Sequence, residues 1–240
     1  MMKSSLLSAA ALLFACTAWA QISDLTPAEL SPSAQQEWLQ TFTAVEINAP
    51  LDIVFIRVPA SEAPKIIYDT KGAYTTKFRF DIKNHVLRIN EKADSRRPEL
   101  TTVTVYYNTL ESLSLIDATA TFREPIVAKL FDLNLGSRAA LTATLDIQDL
   151  NMTLAGNSTA KLDGTARYLT LEASNGVVDA ANLSVVAARI NVTSGGSVTV
   201  DASERLEATT STNGTIYYIK EPALIRGGIR FMGGNIEQAK

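Results

Sequence analysis

The feature that most constrains the fold is a turn-forming residue that returns about every twenty positions in the second half of the chain. The glycines of this series are separated by 18 to 20 residues, and Asp117 fits one period earlier. Alternating apolar and polar residues precede each glycine, as in Leu133-Asn-Leu135-Gly136. A fixed period of this length is typical of a solenoid made of short strands. The series is Gly136, Gly156, Gly176, Gly195/Gly196 and Gly214.

The residue types within each period agree with this interpretation. The inward positions carry Leu, Val, Ile and Ala, and the outward positions carry Thr, Ser, Asn and Lys. Glycine is expected at the bends because a positive φ strains any residue with a Cβ, and Asn and Asp tolerate that conformation next best. The repeats therefore predict an all-β fold whose successive turns lie parallel.

Upstream of the repeats, apolar and polar residues alternate with period two from residue 42 to residue 107. Val, Ile, Phe, Tyr and Thr fill the positions that a pleated surface favours. Lys83-Asn84-His85 interrupts this pattern and predicts a tight hairpin turn that contains the only histidine. We expect this strand and hairpin region to be continuous with the solenoid.

The first twenty residues predict a signal peptide. A short positive start at Lys3 is followed by an apolar stretch, and the small-x-small pattern ending at Ala20 predicts cleavage before Gln21. The alternative is a lipid anchor at Cys16, which follows a small residue. The remaining sequence contains no stretch apolar and long enough for a membrane span. We expect export to the periplasm, the cell surface or the medium.

The net charge limits the expected partners, and the cysteine content limits the expected sources of stability. Removing residues 1–20 takes away one lysine, so the net charge changes from −3 to −4. A mildly acidic chain argues against nucleic acid and anionic membrane as partners. Because Cys16 is the only cysteine, the mature chain cannot form an internal disulfide, and its stability must come from burial.

The chain is divided into a signal peptide (1–20), a linker or N-terminal cap (21–41) and one solenoid domain (42–240). Residues 33–37 could alternatively start a short helix. The ends of a coil expose strand edges. Residues 21–40 and 227–240 are the expected covers.

Several motifs, taken in order, resemble the putative auto-transporter adhesin head GIN domain family of bacterial envelope and secreted proteins. The opening Val45-Glu-Ile47-Asn-Ala-Pro-Leu-Asp-Ile53 resembles the family's entry strands, and Asn84-His-Val-Leu87-Arg-Ile89 its hairpin. The resemblance spans residues 42–238 and includes three degenerate repeats, the exit motif and the last strand. These are Ser174-Asn-Gly-Val-Val, Ser194-Gly-Gly-Ser-Val, Thr212-Asn-Gly-Thr-Ile, Gly214-Thr-Ile-Tyr217-Tyr218-Ile-Lys-Glu-Pro222 and Gly233-Gly-Asn-Ile236.

The resemblance implies a right-handed parallel β-helix with an adhesive or scaffolding role. It implies no catalytic residue and no cofactor. We therefore expect an envelope protein that binds a surface glycan or an envelope protein without catalysis, with its oligomeric state left open. The alternatives are a periplasmic scaffold without a ligand and, less favoured, a polysaccharide-active enzyme.

Four aspartates that follow apolar strand residues could form a ladder along one edge of the solenoid. Such a ladder would suit either turn caps or calcium, although the irregular spacing and the lack of a repeated Gly-Gly-x-Gly-x-Asp pattern disfavour calcium. No metal ligand is assigned. The four residues are Asp146, Asp163, Asp179 and Asp201.

The enzyme alternative needs Asp, Lys and Arg on adjoining turns. Glycoside hydrolysis would need a pair of carboxylates, and a serine triad would have only His85 as its base. The set considered is Lys129, Asp132, Arg138, Lys161, Asp163 and Arg167.

Two pairs of adjacent tyrosines are the contact residues considered, Tyr106-Tyr107 and Tyr217-Tyr218. One side chain of each adjacent pair must point outward in a strand. An exposed tyrosine can stack on a sugar or anchor a protein partner. The contact residues predicted are Tyr107, Tyr217 and Tyr218.

Overall fold

The computed structural model describes residues 32–71, 77–92, 99–231 and 233–239, and all regular structure in these ranges is β-strand. Residues 31–240 belong to one compact unit. The strands are β1 Gln35–Trp38, β2 Ala44–Asn48, β3 Leu51–Arg57, β4 Lys65–Asp69, β5 Phe78–Lys83, β6 Val86–Glu91, β7 Thr101–Tyr107, β8 Ser112–Ile116, β9 Thr119–Phe122, β10 Ile126–Gly136, β11 Ala140–Ala155, β12 Thr159–Ser174, β13 Val177–Thr193, β14 Ser197–Ser211, β15 Thr215–Tyr218, β16 Leu224–Phe231 and β17 Asn235–Gln238.

The repeats wind as a β-solenoid, which confirms the predicted fold class. Each of β11 to β14 continues through bends for almost a whole turn, and each pairs in parallel with the next. Residues one turn apart lie directly opposite, as in Leu145, Gly164 and Leu183, which are 19 positions apart. Alternate residues therefore point into one continuous core, where leucine, valine, isoleucine and alanine are buried.

Two parallel ladders extend along the described part of the solenoid. The first passes through β6, β2, β8, β10, β11, β12, β13, β14 and β16. The second passes through β7, β3, β9, β11, β12, β13, β14, β15 and β17. With neighbouring strands about 4.8 Å apart, nine strands extend over about 38 Å.

The N-terminal strands do not stack in chain order. Strand β2 lies between β6 and β8, so Ala44 pairs with Val86 on one side and Ser112 on the other. Strand β3 likewise lies between β7 and β9. The entering chain therefore forms the second layer, and the hairpin region that follows it forms the first.

An antiparallel cap covers the first layer. Strand β5 pairs with β6, β4 pairs with β7, and β1 pairs with β4. Strand β1 lies in the segment expected to be a linker or cap, and its strand conformation shows that the helix alternative for residues 33–37 is wrong. The described tail does not cover an end, because β16 and β17 continue the two ladders.

The bends between the ladders lie where the glycine period predicted them, but glycine is not always the residue with positive φ. Asn175 (φ 57°) and Asn213 (φ 63°) adopt that conformation next to Gly176 and Gly214. Gly214 is required for space, since a Cβ there would lie 2.4 Å from the Val192 carbonyl oxygen. The glycine period therefore marks positions where successive turns stack closely, as well as positions where the backbone needs a positive φ.

The hairpin predicted around the only histidine is confirmed. Strand β5 ends at Lys83, β6 begins at Val86, and Asn84 and His85 both have positive φ, at 53° and 60°. This pair of angles is typical of a type I′ turn, which matches the twist of the flanking strands.

Candidate ligand-binding face

The outward side chains of the first ladder form a broad surface that we call the tyrosine face. Residues that pair across successive strands form a row on this face. One such row contains Tyr168, which is 42% exposed. Two apolar residues of the same row are also exposed, Leu130 at 49% and Leu224 at 44%. The register of the parallel strands defines this row as Leu130, Asp149, Tyr168, Ala187, Arg205 and Leu224.

Tyr168 is exposed because the strand bends just before it. Ala166 and Leu169 are both buried, so Arg167 and Tyr168 between them point outward together. The guanidinium of Arg167 lies 5.3 Å from the centre of the Tyr168 ring, within the range of a cation–π contact. This contact restricts the ring while leaving much of its surface open to solvent.

A shallow depression of about 210 Å³ lies next to this ring. Ala187 is among its lining residues and pairs with Tyr168 on one side and Arg205 on the other, so its small side chain leaves room between them. Tyr168 and Arg205 are two strands apart, or about 9.6 Å. Pockets that enclose a small molecule measure about 300–1,000 Å³. The depression therefore suits one unit of an extended ligand.

Three arginines surround a single carboxylate at the edge of this depression, and we call Arg189, Arg205 and Arg226 the arginine cluster. Glu207 accepts a hydrogen bond from Arg189 Nε at 2.9 Å and another from Arg205, while Arg226 Nη1 lies 3.7 Å from its Oε1. The hydrogen bonds from Arg189 and Arg205 hold the pKa of Glu207 below its usual value. The carboxylate is thus kept ionised, and positive charge remains in excess around it.

A second depression, of about 500 Å³, lies on the other side of Arg167. Val127, which is 51% exposed, lines it together with Lys129 and Asp146. Because Arg167 lines this depression and also contacts Tyr168, the ring stands between the two depressions. An extended ligand that crosses the ring could occupy both.

The sequence prediction of Tyr107 as a contact residue is wrong. Tyr107 is only 2% exposed and packs edge-on against Phe55 and Phe122 in the core. Tyr106 is the outward member of the pair, and Lys65 Nζ lies 4.3 Å from its ring centre.

Tyr217 and Tyr218 are both half-buried at the end of the second ladder. Tyr218 packs against the core, whereas Tyr217 occupies an outward row with Thr199 and Glu237. Both belong to a different ladder from Tyr168. The sequence analysis missed Tyr168 because it considered adjacent tyrosine pairs, although a 19-residue register places Tyr168 in line with Asp149 and Ala187.

The aspartate ladder that the sequence allowed is not formed. Asp146 and Asp201 share a row, but Thr165 and Ser184 separate them. Asp163 and Asp179 belong to other rows, because the register shifts between neighbouring turns. Within the described ranges, no group of three His, Cys, Asp or Glu residues is placed to hold a metal ion.

Three of these aspartates instead have local hydrogen-bond partners, and Asp146 Oδ1 accepts one from the Thr165 hydroxyl at 3.3 Å. Asp179 Oδ1 accepts a hydrogen bond from the Ala181 backbone N–H at 3.2 Å, which is the capping role proposed for the set. Asp201 Oδ2 accepts one from Lys220 Nζ at 2.9 Å.

The residues considered for the enzyme alternative do not gather at one place. Lys129 and Arg167 meet at the second depression, whereas Arg138 contacts Asp117 at the bend between the two ladders. Asp132 and Lys161 lie on different ladders. The predicted signal cleavage between Ala20 and Gln21, and the alternative anchor at Cys16, lie outside the described residues.

The sequence family described as "Putative auto-transporter adhesin, head GIN domain" matches residues 41–222. The chain belongs to this family. Three solved structures share the fold of this GIN domain. A putative adhesin from Bacteroides fragilis has a TM-score of 0.77 at 18% identity, and the alignment covers 86% of this chain and 96% of that one.

A second putative adhesin, from Parabacteroides merdae, has a TM-score of 0.67 at 18% identity, with 87% and 96% of the two chains covered. A putative lipid binding protein from Parabacteroides distasonis has a TM-score of 0.61 at 16% identity, with 87% and 98% covered. No curated protein matches the chain. Tyr168, Arg189, Arg205 and Glu207 lie within the matched GIN domain, whereas Arg226 follows it.

Across the described ranges, no helix is long and apolar enough to cross a membrane.

Proposed function

We propose that this GIN domain is a non-catalytic, exported binding module that holds a glycan of a cell surface on its tyrosine face. The observation that carries the proposal is the exposed Tyr168 ring beside a depression that is open along the face. Aromatic rings bury large areas at little entropic cost, and a tyrosine also offers a hydroxyl for hydrogen bonding. A sugar ring, which has both an apolar face and hydroxyl groups, suits such a surface.

The rows around Tyr168 support an extended ligand. One row of polar residues crosses six neighbouring strands of the face without a bulky apolar side chain. Parallel strands repeat this arrangement about every 4.8 Å, so equivalent groups lie at regular intervals along the face. A polymer of similar units could make the same contact several times. The row is Asn134, Thr153, Glu172, Asn191 and Thr209, preceded by Ser114.

The test is binding of the chain from Gln21 onward to an array of bacterial and host surface glycans. Replacement of Tyr168 by alanine removes the aromatic anchor, and truncating such an anchor costs about 2 kcal/mol or more, or about thirty-fold in affinity. Tyr217→Ala is the matched control, because it removes an outward tyrosine of the other ladder. If Tyr217→Ala lowers affinity and Tyr168→Ala does not, the contact lies on the second ladder and the proposal is wrong.

Two other results would contradict the proposed function. If no glycan binds at high protein concentration while an envelope protein does, the partner is a protein. If incubation with envelope polysaccharides releases new reducing ends, the module is an enzyme.

A further inference from the structure

We infer that the glycan held on the tyrosine face is anionic, with carboxylate or sulfate groups bound by the arginine cluster. This inference rests on the proposed function and names the chemical class of its ligand. The positive charge lies at the depression that Tyr168 lines, so one ligand unit could contact both the ring and the guanidiniums.

The first argument is the number of hydrogen-bond donors. Each guanidinium carries five N–H donors, whereas the Glu207 carboxylate offers two oxygens. Three arginines around this one carboxylate therefore leave donors in excess. Among the residues that line the depression, Glu207 is the one acid.

The second argument is a buried donor without an acceptor. The Nε atom of Arg205 is shielded from solvent and has no hydrogen-bond partner among the described residues. A buried N–H group without an acceptor destabilises the state that contains it. Rotation of the partly exposed Arg205 side chain toward the depression would bring this donor to an anionic ligand oxygen.

The third argument is the geometry of the charged groups. Arg189, Arg205 and Arg226 come from three neighbouring strands, β13, β14 and β16. A planar guanidinium donates two parallel hydrogen bonds to a carboxylate, and its fork matches the oxygens of a sulfate in a similar way. The side chains of Arg189 and Arg226 are 73% and 63% exposed, so a ligand can reach them.

The surrounding charge makes the site selective. The mature chain carries a net charge of −4, so most of its surface disfavours an anion. Asp149 pairs with Tyr168 across neighbouring strands and Glu204 precedes Arg205 in the chain, but neither lines the depression. An anionic glycan is therefore expected to bind at the arginine cluster rather than over the whole face.

The experiment uses calorimetry on the chain from Gln21 onward with two matched ligand pairs at one ionic strength. One pair is an oligogalacturonate and its carboxyl-reduced form, and the other is a dextran sulfate oligomer and dextran. We expect at least ten-fold tighter binding of an anionic member than of its neutral partner, and the difference should decrease as salt screens the charges. Comparing the two pairs distinguishes carboxylate from sulfate.

The variants assign the effect to the arginine cluster. We expect Arg226→Gln to weaken anionic binding about three- to ten-fold, and the double change Arg189→Gln with Arg226→Gln to weaken it more. Arg138→Gln is the control, because it removes the same charge from a 78% exposed arginine at the bend between the two ladders. Unchanged thermal unfolding of Arg226→Gln shows that the fold is retained.

The outcomes separate the two proposals. Equal binding of neutral and anionic members, lost in Tyr168→Ala, overturns the anionic inference and keeps the proposed function. An equal loss in Arg138→Gln and Arg226→Gln also overturns it, because binding would then follow net charge alone. If neither member of either pair binds and the wider array is also empty, both proposals fail.

Discussion

The capped N-terminal region and the repeat region of this solenoid differ in the sequence separation of their contacting strands and in the residues of their cores. In the repeats, each turn contacts the turn that precedes it in the chain, 17 to 20 residues away. In the N-terminal region, β2 contacts strands that begin 42 and 68 residues later. The repeat core is largely aliphatic, whereas Phe55, Tyr107 and Phe122 form an aromatic cluster in the N-terminal region.

Because of this difference, the most cooperative part of the fold and the candidate binding residues lie in different regions of the molecule. Contacts between distant segments must form together, so the aromatic cluster and the antiparallel cap are expected to hold the N-terminal layers as one cooperative unit. Contacts between neighbouring repeats contribute nearly independently. The candidate binding residues lie on the repeats, where outward side chains can change without affecting the N-terminal region.

The largest expected effect comes from removing an aromatic ring of the cluster. Phe55 is fully buried and stacks on Phe122 with ring centres 4.5 Å apart. Phe55→Ala should lower the free energy of unfolding by about 3–5 kcal/mol, measured by urea denaturation. Hydrogen exchange should accelerate in β2, β3, β7, β8 and β9 together.

Leu171→Ala is the matched change in the repeats, since Leu171 is 1% exposed. It should accelerate exchange mainly in β11, β12 and β13. The comparison between the regions is wrong if Leu171→Ala accelerates exchange evenly throughout the molecule, or if Phe55→Ala affects only its own strand.

An intermediate loss of stability is expected from a substitution at a bend within the repeats. Gly164 has φ +102°, and a Cβ there would lie 2.2 Å from the Leu145 carbonyl oxygen. Gly164→Ala should destabilise by about 3 kcal/mol, because it combines backbone strain with overpacking against a backbone atom. Gly227→Ala is the control, since nothing lies within 4 Å of its Cβ position and its φ is not positive. A loss of stability in the control as large as that in Gly164→Ala would contradict the close stacking of turns.

The smallest effect is expected from a single hydroxyl in the aromatic cluster. The Tyr107 hydroxyl is buried and has no hydrogen-bond partner among the described residues. Tyr107→Phe should therefore be neutral or stabilise by up to about 1 kcal/mol. A destabilisation of similar size would instead mean that the hydroxyl has an acceptor in solution.

The same tyrosine predicts a pH dependence. Burial raises the pKa of Tyr107 to about 12 from its ordinary value of 10.0. Between these values the unfolded chain loses the phenolic proton while the folded chain keeps it, so stability falls as pH rises through this window. The fall should be smaller in Tyr107→Phe, measured by denaturation at pH 9 and pH 11. Equal falls in both proteins would mean that Tyr107 does not contribute.

Much of the repeat region could be predicted from the sequence because its contacts are local. The period predicted the parallel turns, and Asn84-His85 predicted the hairpin. The stacking order of β2, β6 and β8 could not be predicted, because no local pattern specifies which distant strand pairs with Ala44.

The candidate site was harder to predict because irregularities of one to three residues move side chains between rows. The strand bend at Arg167 interrupts the alternation and exposes Tyr168, which a strict period of two does not show. Between Ala180 and Ser184 the register of β13 and β14 shifts, and this shift places Asp201 opposite Ser184 rather than Ala181. The row of the arginine cluster, in contrast, follows the ordinary offsets of 18 and 19 residues from Arg189 to Glu207 and Arg226. The sequence analysis missed it because it considered basic residues of other positions.

The constant 19-residue offset between paired residues of β11 and β12 has an evolutionary consequence. Duplicating nineteen consecutive codons within these repeats would add one coil to the rod and lengthen it by about 4.8 Å. The remaining coils would keep their partners, and each outward row would gain one position. A lineage could therefore adjust the length of the solenoid, and the number of outward positions in each row, by whole copies of a single 19-residue repeat.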